Sequence, residues 1–542
     1  MNARGITRRD VLRRGGGLAV PALLGTPLGA AAEAAKKAAP AAAAPAGVGL
    51  RLGGADIYET IGVRSFVNAR GTYTILTGST LLPEVRAAMD AASRHYVHLD
   101  ELAEAVGARL AELTGAEWGL VTNGCSAALT LATIACLTGG NPDLHVRIPD
   151  LRGFPKDECI IPRHSRNVYD AAVRATGVKV VEVASAEELE AAFGPRTAIV
   201  YVLAGPNADS GPLSTKALCD AANRRGVPVL VDAAAETLPV PNPHLQMGAA
   251  LVAYSGGKCL RGPQAGGLLL GRKDLVKAAW VGAAPHHGPA RGYKVGKEEW
   301  IGMLMAVEMW MKRDHDAEWK AWQSWIDHIA ARVKAVPGVT TSVTPPDSLS
   351  NRMPVLQIRW DRKALGTTGD AVAKQLFDTN PRVSLFPARG RLQPGETGLT
   401  IGPYMMAPGD EKVVAERLFA LLSKPEKAEE KTPAAATVDL TGAWDVTIQY
   451  AASSSRHRLH LRQKGSDVDG QHQGDFVTRD LAGSVDGDAV RLRSDVAESG
   501  GDALAYTFTG KATADEITGE LDLGEYLKAR FTAKRHASAR RA

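Results

Sequence analysis

Two apolar runs, each ending in a chemically loaded turn, constrain this chain more than any other feature. Val227-Pro-Val-Leu-Val-Asp232-Ala-Ala-Ala-Glu236 is a buried-type strand that finishes on a carboxylate as the chain leaves a sheet. Leu251-Val-Ala-Tyr-Ser255 is a second, followed by Gly-Gly-Lys258-Cys-Leu-Arg-Gly-Pro-Gln-Ala-Gly and a third run to Gly271. Short continuous apolar runs bounded by glycine are strands covered on both faces, so they belong to a sheet layered between helices. The glycines beside Lys258 let the backbone turn and let a large group approach. A lysine in such a turn is commonly just solvated; the carboxylate that ends the preceding strand changes the reading. Pyridoxal phosphate requires an amine to form a Schiff base and an anion that keeps its pyridine nitrogen protonated, and Lys258 with Asp232 supplies that pair.

The same alternation of strand and helix extends upstream. Trp118-Gly-Leu-Val-Thr-Asn123, Glu158-Cys-Ile-Ile-Pro162, Lys179-Val-Val-Glu-Val183 and Ala198-Ile-Val-Tyr-Val-Leu-Ala204 read as strands, which predicts a mostly parallel sheet covered on both faces. Ligands in such sheets lie at the carboxyl ends of the strands, where Gly124, His164, Asn207, Asp232 and Ser255 all fall. Gly124, Cys125 and Ser126 open an Ala/Leu-rich helix, and helix-start amides form an anion site. His164 is placed either to stack on a pyridine ring or to serve as a helix-capping or surface imidazole.

At 542 residues the chain holds two to four domains. The formal charge of +5 is concentrated at the N-terminus, where Arg4, Arg8, Arg9, Arg13 and Arg14 oppose only Asp10, so nothing demands a nucleic-acid partner. Arg8-Arg9, a short apolar stretch and Ala30-Ala-Ala32 form a twin-arginine-type export signal over residues 1–32, implying a translocase partner and a periplasmic location. An Ala/Pro-rich linker follows over 33–55. The large domain is expected over 56–300, then an interdomain helix and small α+β domain over 301–422, with one long helix from about Glu298 to Val336. Trp319, Trp322 and Trp325 recur on that helix and predict a face packed against a neighbouring domain or subunit. A charged linker at 423–440 leads to short alternating runs over 441–536, an antiparallel barrel or sandwich, and a basic tail at 537–542. The β module looks like the lipocalin-like domains appended to secreted bacterial enzymes. Five scattered cysteines without a C-x-x-C pair give no metal site; one unassigned disulfide remains open.

Asn68-Ala-Arg-Gly-Thr72, Leu113-Thr-Gly-Ala-Glu117, Val121-Thr-Asn-Gly-Cys-Ser-Ala-Ala128, Val231-Asp-Ala-Ala-Ala235, Ser255-Gly-Gly-Lys-Cys-Leu-Arg-Gly-Pro-Gln-Ala-Gly266 and Lys294-Val-Gly-Lys-Glu298 occur in one order. Together they resemble the selenocysteine synthase (seryl-tRNA selenium transferase) branch of fold-type-I pyridoxal-phosphate enzymes, including its ammonia-lyase-like relatives. The resemblance spans about residues 56–422. It implies that Lys258 carries the cofactor, Asp232 pairs with the pyridine nitrogen, Gly124 to Ser126 and Ser255 hold phosphate, and His164 stacks on the ring. It also places the segment bearing Arg291, Lys294 and Lys297 at the active-site mouth, to read an anionic group on the substrate; an exposed basic loop is the alternative. Such enzymes complete their sites with a second subunit, which implies at least a homodimer. Where the family carries a tRNA-binding region, this chain has the export-type signal and linker. The expected activity is therefore α,β-elimination or a related lyase or transferase step on a small anionic amino compound. An aminotransferase, a selenium transferase and a non-catalytic exported binding protein are the alternatives.

Overall fold

The computed structural model describes residue 50 and residues 57–388, 392–426, 434–495 and 504–537. The export-type signal, nearly all of the 33–55 linker, the middle of the 423–440 linker and most of the basic tail lie outside the described residues. The chain divides into one unit up to Ser65 and another from Phe66 onward. In the first, Tyr58–Ile61 make a single 3-10 turn closed by left-handed Gly62. Everything below concerns the second unit.

Seven strands form its central sheet: β1 (Trp118–Asn123), β2 (Glu158–Pro162), β3 (Lys179–Val183), β4 (Thr197–Leu203), β5 (Val229–Asp232), β6 (Leu251–Ser255) and β7 (Gly266–Gly271). Their spatial order is β1-β7-β6-β5-β4-β2-β3. The sheet is mostly parallel, as expected: β7 alone runs antiparallel, to both β1 and β6, and the other neighbours are parallel. The cause is the connection. A short glycine-rich loop joins β6 to β7, and only a longer crossover returns a chain in the parallel sense. Helix α1 (Gly124–Thr138) is buried along nearly its whole length, as its Ala/Leu composition and lack of charge demand. Pairing of Leu203 with Asp232, Asp232 with Ala253, and both Ser255 and Thr122 with Gly267 brings the carboxyl ends of β1, β4, β5 and β6 level.

The expected long helix is two helices, α2 (Lys297–Lys312) and α3 (His315–Val333). Arg313 is extended (ψ 140°), and Asp314 caps α3 by accepting the Ala317 N–H at 2.9 Å. The break is held by the Arg313 guanidinium, which donates to both Glu318 carboxylate oxygens at 2.8 and 2.9 Å and to the Cys259 carbonyl at 3.0 Å. Trp319, Trp322 and Trp325 are half-buried and line a cleft of about 1000 Å³, shared with Trp310, Arg352 and Tyr404.

Beyond it, a four-stranded antiparallel sheet orders β8 (Thr340–Thr344), β9 (Val355–Asp361), β10 (Phe386–Pro387) and β11 (Glu396–Ile401) as β10-β11-β9-β8. Leu356, Ile358, Val414 and Leu418 join this sheet and the helix Asp410–Ser423 in a core of their own.

The C-terminal module is a closed antiparallel barrel of eight strands, β12 (Gly442–Gln449), β13 (Ser454–Lys464), β14 (Asp467–Gln473), β15 (Thr478–Asp486), β16 (Ala489–Asp495), β17 (Leu504–Ala512), β18 (Glu516–Gly524) and β19 (Lys528–Arg535), with β19 pairing back onto β12. Closure removes the unpaired edges that a sandwich would keep. Strands β14 and β15 carry too few apolar residues to stand out in the sequence. Alternation still buries Val468, His472, Leu481 and Val485 inside.

Candidate active site

Asp232 ends β5 and is only 2 % exposed. Its Oδ1 accepts the Ala234 N–H at 3.1 Å and the Cys125 S–H at 3.5 Å, and its Oδ2 accepts the Tyr201 hydroxyl at 2.9 Å. Burial pushes this carboxyl above the ordinary carboxylate range; the Ala234 amide, the Tyr201 hydroxyl and the nearby Lys258 ammonium pull it back. Burial likewise drives the Cys125 thiol and the Tyr201 phenol well up, so both are protonated and serve as donors.

Lys258 sits half-buried in the β6–β7 loop, within electrostatic reach of Asp232 and Cys125. The loop folds tightly on itself: the Gly256 N–H donates to the Gly266 carbonyl at 2.8 Å, and the Gly262 N–H donates to the Gly256 carbonyl at 2.9 Å. A Cβ on Gly257 would stand 2.8 Å from the Gln264 Cα, so this glycine is required by close approach. Arg261 takes a left-handed conformation (φ 55°), anchored by two guanidinium bonds of 3.0 Å to the Thr80 carbonyl and hydroxyl.

The start of α1 lies beside this loop. Gly267 of β7 has no room for a side chain, since a Cβ there would stand 2.4 Å from the Gly124 carbonyl carbon. On the other side, a Cβ on Gly124 would meet nothing within 4 Å. No side chain caps the start of this helix, so its first amides are left for another acceptor, with the exposed Ser126 on the same turn and Ser255 across β7 from Thr122.

His164 lies in a 3-10 turn directly after β2. Its Nε2 stands 3.1 Å from the Leu213 carbonyl, and its Nδ1 stands 3.1 Å from the Ser165 hydroxyl. A carbonyl only accepts, so the proton is on Nε2 and Nδ1 accepts from Ser165. With both nitrogens engaged by protein, the ring offers its face rather than its edge. Asn207 is exposed in the 3-10 turn Pro206–Ala208, which packs on the turn bearing His164. Arg291 and Lys294 are exposed, and the Lys294 carbonyl accepts the Asn123 side-chain amide at 3.2 Å, docking that segment at the end of β1. Lys297 opens α2 and pairs with Glu298.

Asp232, Cys125 and Lys258 are thus brought together, with Gly124, Ser126 and Ser255 on the same edge of the sheet. Among the described residues, no hydrogen bond or ion pair joins the Arg291 side chain to that group. Two participants escaped the sequence reading, Tyr201 and Asn167. Tyr201 was readable as the one hydroxyl in the run Ala198–Ala204, and it shares a face with Asp232 because it pairs with Leu230. Asn167 gave no signal, since it reaches Tyr201 from an irregular turn, at 3.1 Å.

The arrangement fits pyridoxal phosphate in three respects. Asp232 accepts three donors and an ionised carboxylate accommodates about four, leaving a place for a pyridine N–H. Lys258 provides a nearby amine, and the open helix start provides amides for a phosphate.

Comparison with known proteins supports this. Residues 163–367 match the family model described as aminotransferase class-V. The chain is 32 % identical over 378 residues to the 5'-C-glycyluridine monooxygenase-decarboxylase of a Streptomyces species, covering 67 % of this chain and 92 % of that one. It is 28 % identical over 372 residues to the D-glucosaminate-6-phosphate ammonia lyase of Salmonella typhimurium, covering 67 % of this chain and 97 % of the relative. A solved structure of a D-glucosaminate-6-phosphate ammonia-lyase superposes with a TM-score of 0.60 at 27 % identity, over 68 % of this chain and 98 % of that one. The L-seryl-tRNA(Sec) selenium transferase of Moorella thermoacetica is 27 % identical over 332 residues, covering 54 % of this chain and 62 % of its own.

Proposed function

The chain belongs to the class-V aminotransferase family of pyridoxal-phosphate-dependent enzymes, and on that premise we propose that it eliminates ammonia from a small amino compound bearing an anionic group. The observation that carries this reading is the convergence of Lys258, Asp232 and the open start of α1, in a chain similar along almost the whole length of an ammonia lyase.

Bound pyridoxal phosphate supplies an electron sink for the bond broken at the substrate Cα. Asp232 would pair with the protonated ring nitrogen of that group, and the amides of Gly124, Cys125 and Ser126 with the Ser255 hydroxyl would hold its phosphate. His164 would present its ring face to that group, with the turn bearing Asn207 packed beside it. Lys258 Nζ would be the base that takes the Cα proton. A β-hydroxyl then leaves as water, and hydrolysis of the resulting enamine returns that water and yields a keto acid and ammonia. Arg291 and Lys294 orient the substrate anion; Lys297 stands at the same mouth, its charge offset by its pair with Glu298.

The test is a panel of amino acids and of carboxylated or phosphorylated amino sugars, offered to protein reconstituted with pyridoxal phosphate. Ammonia released in step with keto acid is expected. Amino-group transfer to an added keto acid without free ammonia would overturn the elimination, and a protein that takes up no cofactor would return it to the class of binding proteins. Arg291→Ala and Lys294→Ala are each expected to raise KM about tenfold at unchanged kcat, the loss of a charge-assisted contact of about 1.4 kcal/mol; an unchanged KM removes them from the site.

The arginine pair and apolar stretch at the N-terminus support export of the folded holoenzyme to the periplasm, and cytoplasmic retention after Arg8→Lys with Arg9→Lys would establish it. The exposed aromatic cleft and the family's habit of sharing sites support a homodimer or larger assembly; a monomeric mass at full activity would refute it.

A further inference from the structure

The hydrogen bonds behind Asp232 have a forced direction. Asn167 Oδ1 accepts the Tyr169 backbone N–H at 2.8 Å, which fixes its amide: oxygen on that side, NH2 on the other. Both amide protons are then spent, one on the Ser165 carbonyl at 2.7 Å and one on the Tyr201 oxygen at 3.1 Å. An amide NH2 cannot accept, so the Tyr201 oxygen must, and its single proton points to Asp232 Oδ2 at 2.9 Å. Tyr201 has no other exit for that proton, being 0 % exposed in the centre of the sheet.

We propose that Asn167 and Tyr201 are positioning residues, a one-way relay that keeps Asp232 ionised and leaves one of its lone pairs aimed at the cofactor's ring nitrogen. The Tyr201 O–H, the Ala234 N–H and the Cys125 S–H occupy three of the carboxylate's lone-pair positions and each bonds the anion more strongly than the acid, so the one position left for a proton on Asp232 is the site that faces the ring nitrogen. The relay thus opposes the tendency of burial to neutralise the carboxyl. It starts at backbone atoms of the turn that also carries His164, so ring face and ring nitrogen are set by one short segment, Arg163–Tyr169.

This rests on Asp232 being the ring-nitrogen partner, so the experiment separates the two. Holoenzyme is prepared with cofactor isotopically labelled at the ring nitrogen, and that resonance is followed against pH. In Tyr201→Phe, which keeps the aromatic ring and removes only the hydroxyl, the pH at which the nitrogen loses its proton should fall by about one unit, a tenfold change in the equilibrium. Asn167→Asp should act in the same direction with the phenol intact, because a carboxylate at 167 accepts the Tyr201 proton and turns the relay around. Asp232→Asn is the reference. If it leaves the resonance unmoved, the assignment of Asp232 fails. If it moves the resonance while Tyr201→Phe and Asn167→Asp both titrate as wild type, the relay is refuted. A shift in Tyr201→Phe alone would refute the part given to Asn167. Should Tyr201→Phe take up no cofactor, the protonated-carboxyl stretch of Asp232 in the infrared spectrum of the unloaded protein decides: present in Tyr201→Phe and absent in wild type supports the relay, and the reverse overturns it.

Discussion

Asp232 in the large domain and His472 in the barrel are both titratable groups sealed inside β structure, and their partners treat them oppositely. His472 is 0 % exposed; its Nδ1 meets the Ser494 hydroxyl at 2.7 Å and its Nε2 meets His457 Nδ1 at 2.8 Å. His457 Nε2 stands 3.1 Å from the Ser455 hydroxyl, which stands 3.0 Å from that of Tyr450. Every member of this row can donate or accept, so the buried part of the chain is satisfied while neutral; the Asp475 carboxylate stands 3.5 Å from His457 Nε2 at the outer end. Burial, reinforced by His457 and Arg479, pushes His472 down to about 3. Around Asp232 the immediate partners only donate. Burial drives both groups toward neutrality; rotatable hydroxyls and imidazoles let it prevail in the barrel, and fixed donors resist it at Asp232.

The largest break in this contrast comes from removing the charges at the active site. Lys258→Ala is expected to abolish both turnover and the visible absorbance of bound cofactor, and a borohydride-fixed adduct at another lysine would dismiss the assignment. Asp232→Asn keeps the shape and loses the anion; kcat should fall about a hundredfold or more while cofactor still binds. Wild-type kcat in that variant would put the donors around residue 232 to a structural purpose only.

A smaller effect is expected in the barrel. His472→Phe fills the interior but leaves the Ser494 hydroxyl and His457 Nδ1 without partners, costing about 1–3 kcal/mol in the denaturant transition of the barrel with kcat unchanged. An unchanged transition would show the row to be dispensable. The pH dependence follows from the same shift. His472 binds its proton more weakly folded, at about 3, than unfolded, at about 6.5 for an ordinary imidazole. The unfolded chain therefore takes up more protons between those values, so barrel stability is complete above about pH 6.5 and is lost progressively toward pH 3. Melting followed across that range should show this acid sensitivity in wild type and less of it in His472→Phe; equal sensitivity in both would assign it to other groups.

How much of this was legible in the sequence differs between the two regions for a physical reason. Asp232 and Lys258 announce themselves because a charged residue at the end of an apolar strand has few structural purposes, and strand ends in such a sheet share one edge. The break before α3 did not, since the apolar spacing runs through Arg313 and Asp314 and only the cap geometry shows that the helix restarts. Strands β14 and β15 were hidden because Gly470, His472 and Gly483 interrupt the apolar residues at their interior positions, so alternation could not be seen without the partner strands. Tyr201 and Asn167 belong to the site through pairing across strands and turns, a relation that spacing along one strand does not record.

The smallest effect concerns the weakest of the three donors to Asp232. Cys125 contributes an S–H at 3.5 Å, where Tyr201 contributes an O–H at 2.9 Å, and sulfur is the poorer donor. Its thiol stays protonated because burial first, and the neighbouring carboxylate second, push its ionisation well up. Cys125→Ala removes this donor and leaves the backbone amide at the helix start in place. If Asp232 is governed by its count and strength of donors, the ring-nitrogen titration should fall by about 0.3–0.4 unit, roughly 0.5 kcal/mol, clearly less than in Tyr201→Phe. Cys125→Ser puts a stronger donor at the same position and should move the titration the other way. A shift in Cys125→Ala as large as in Tyr201→Phe, or the same sign in both Cys125 variants, would mean that packing at the start of α1 controls Asp232 and that its donors do not.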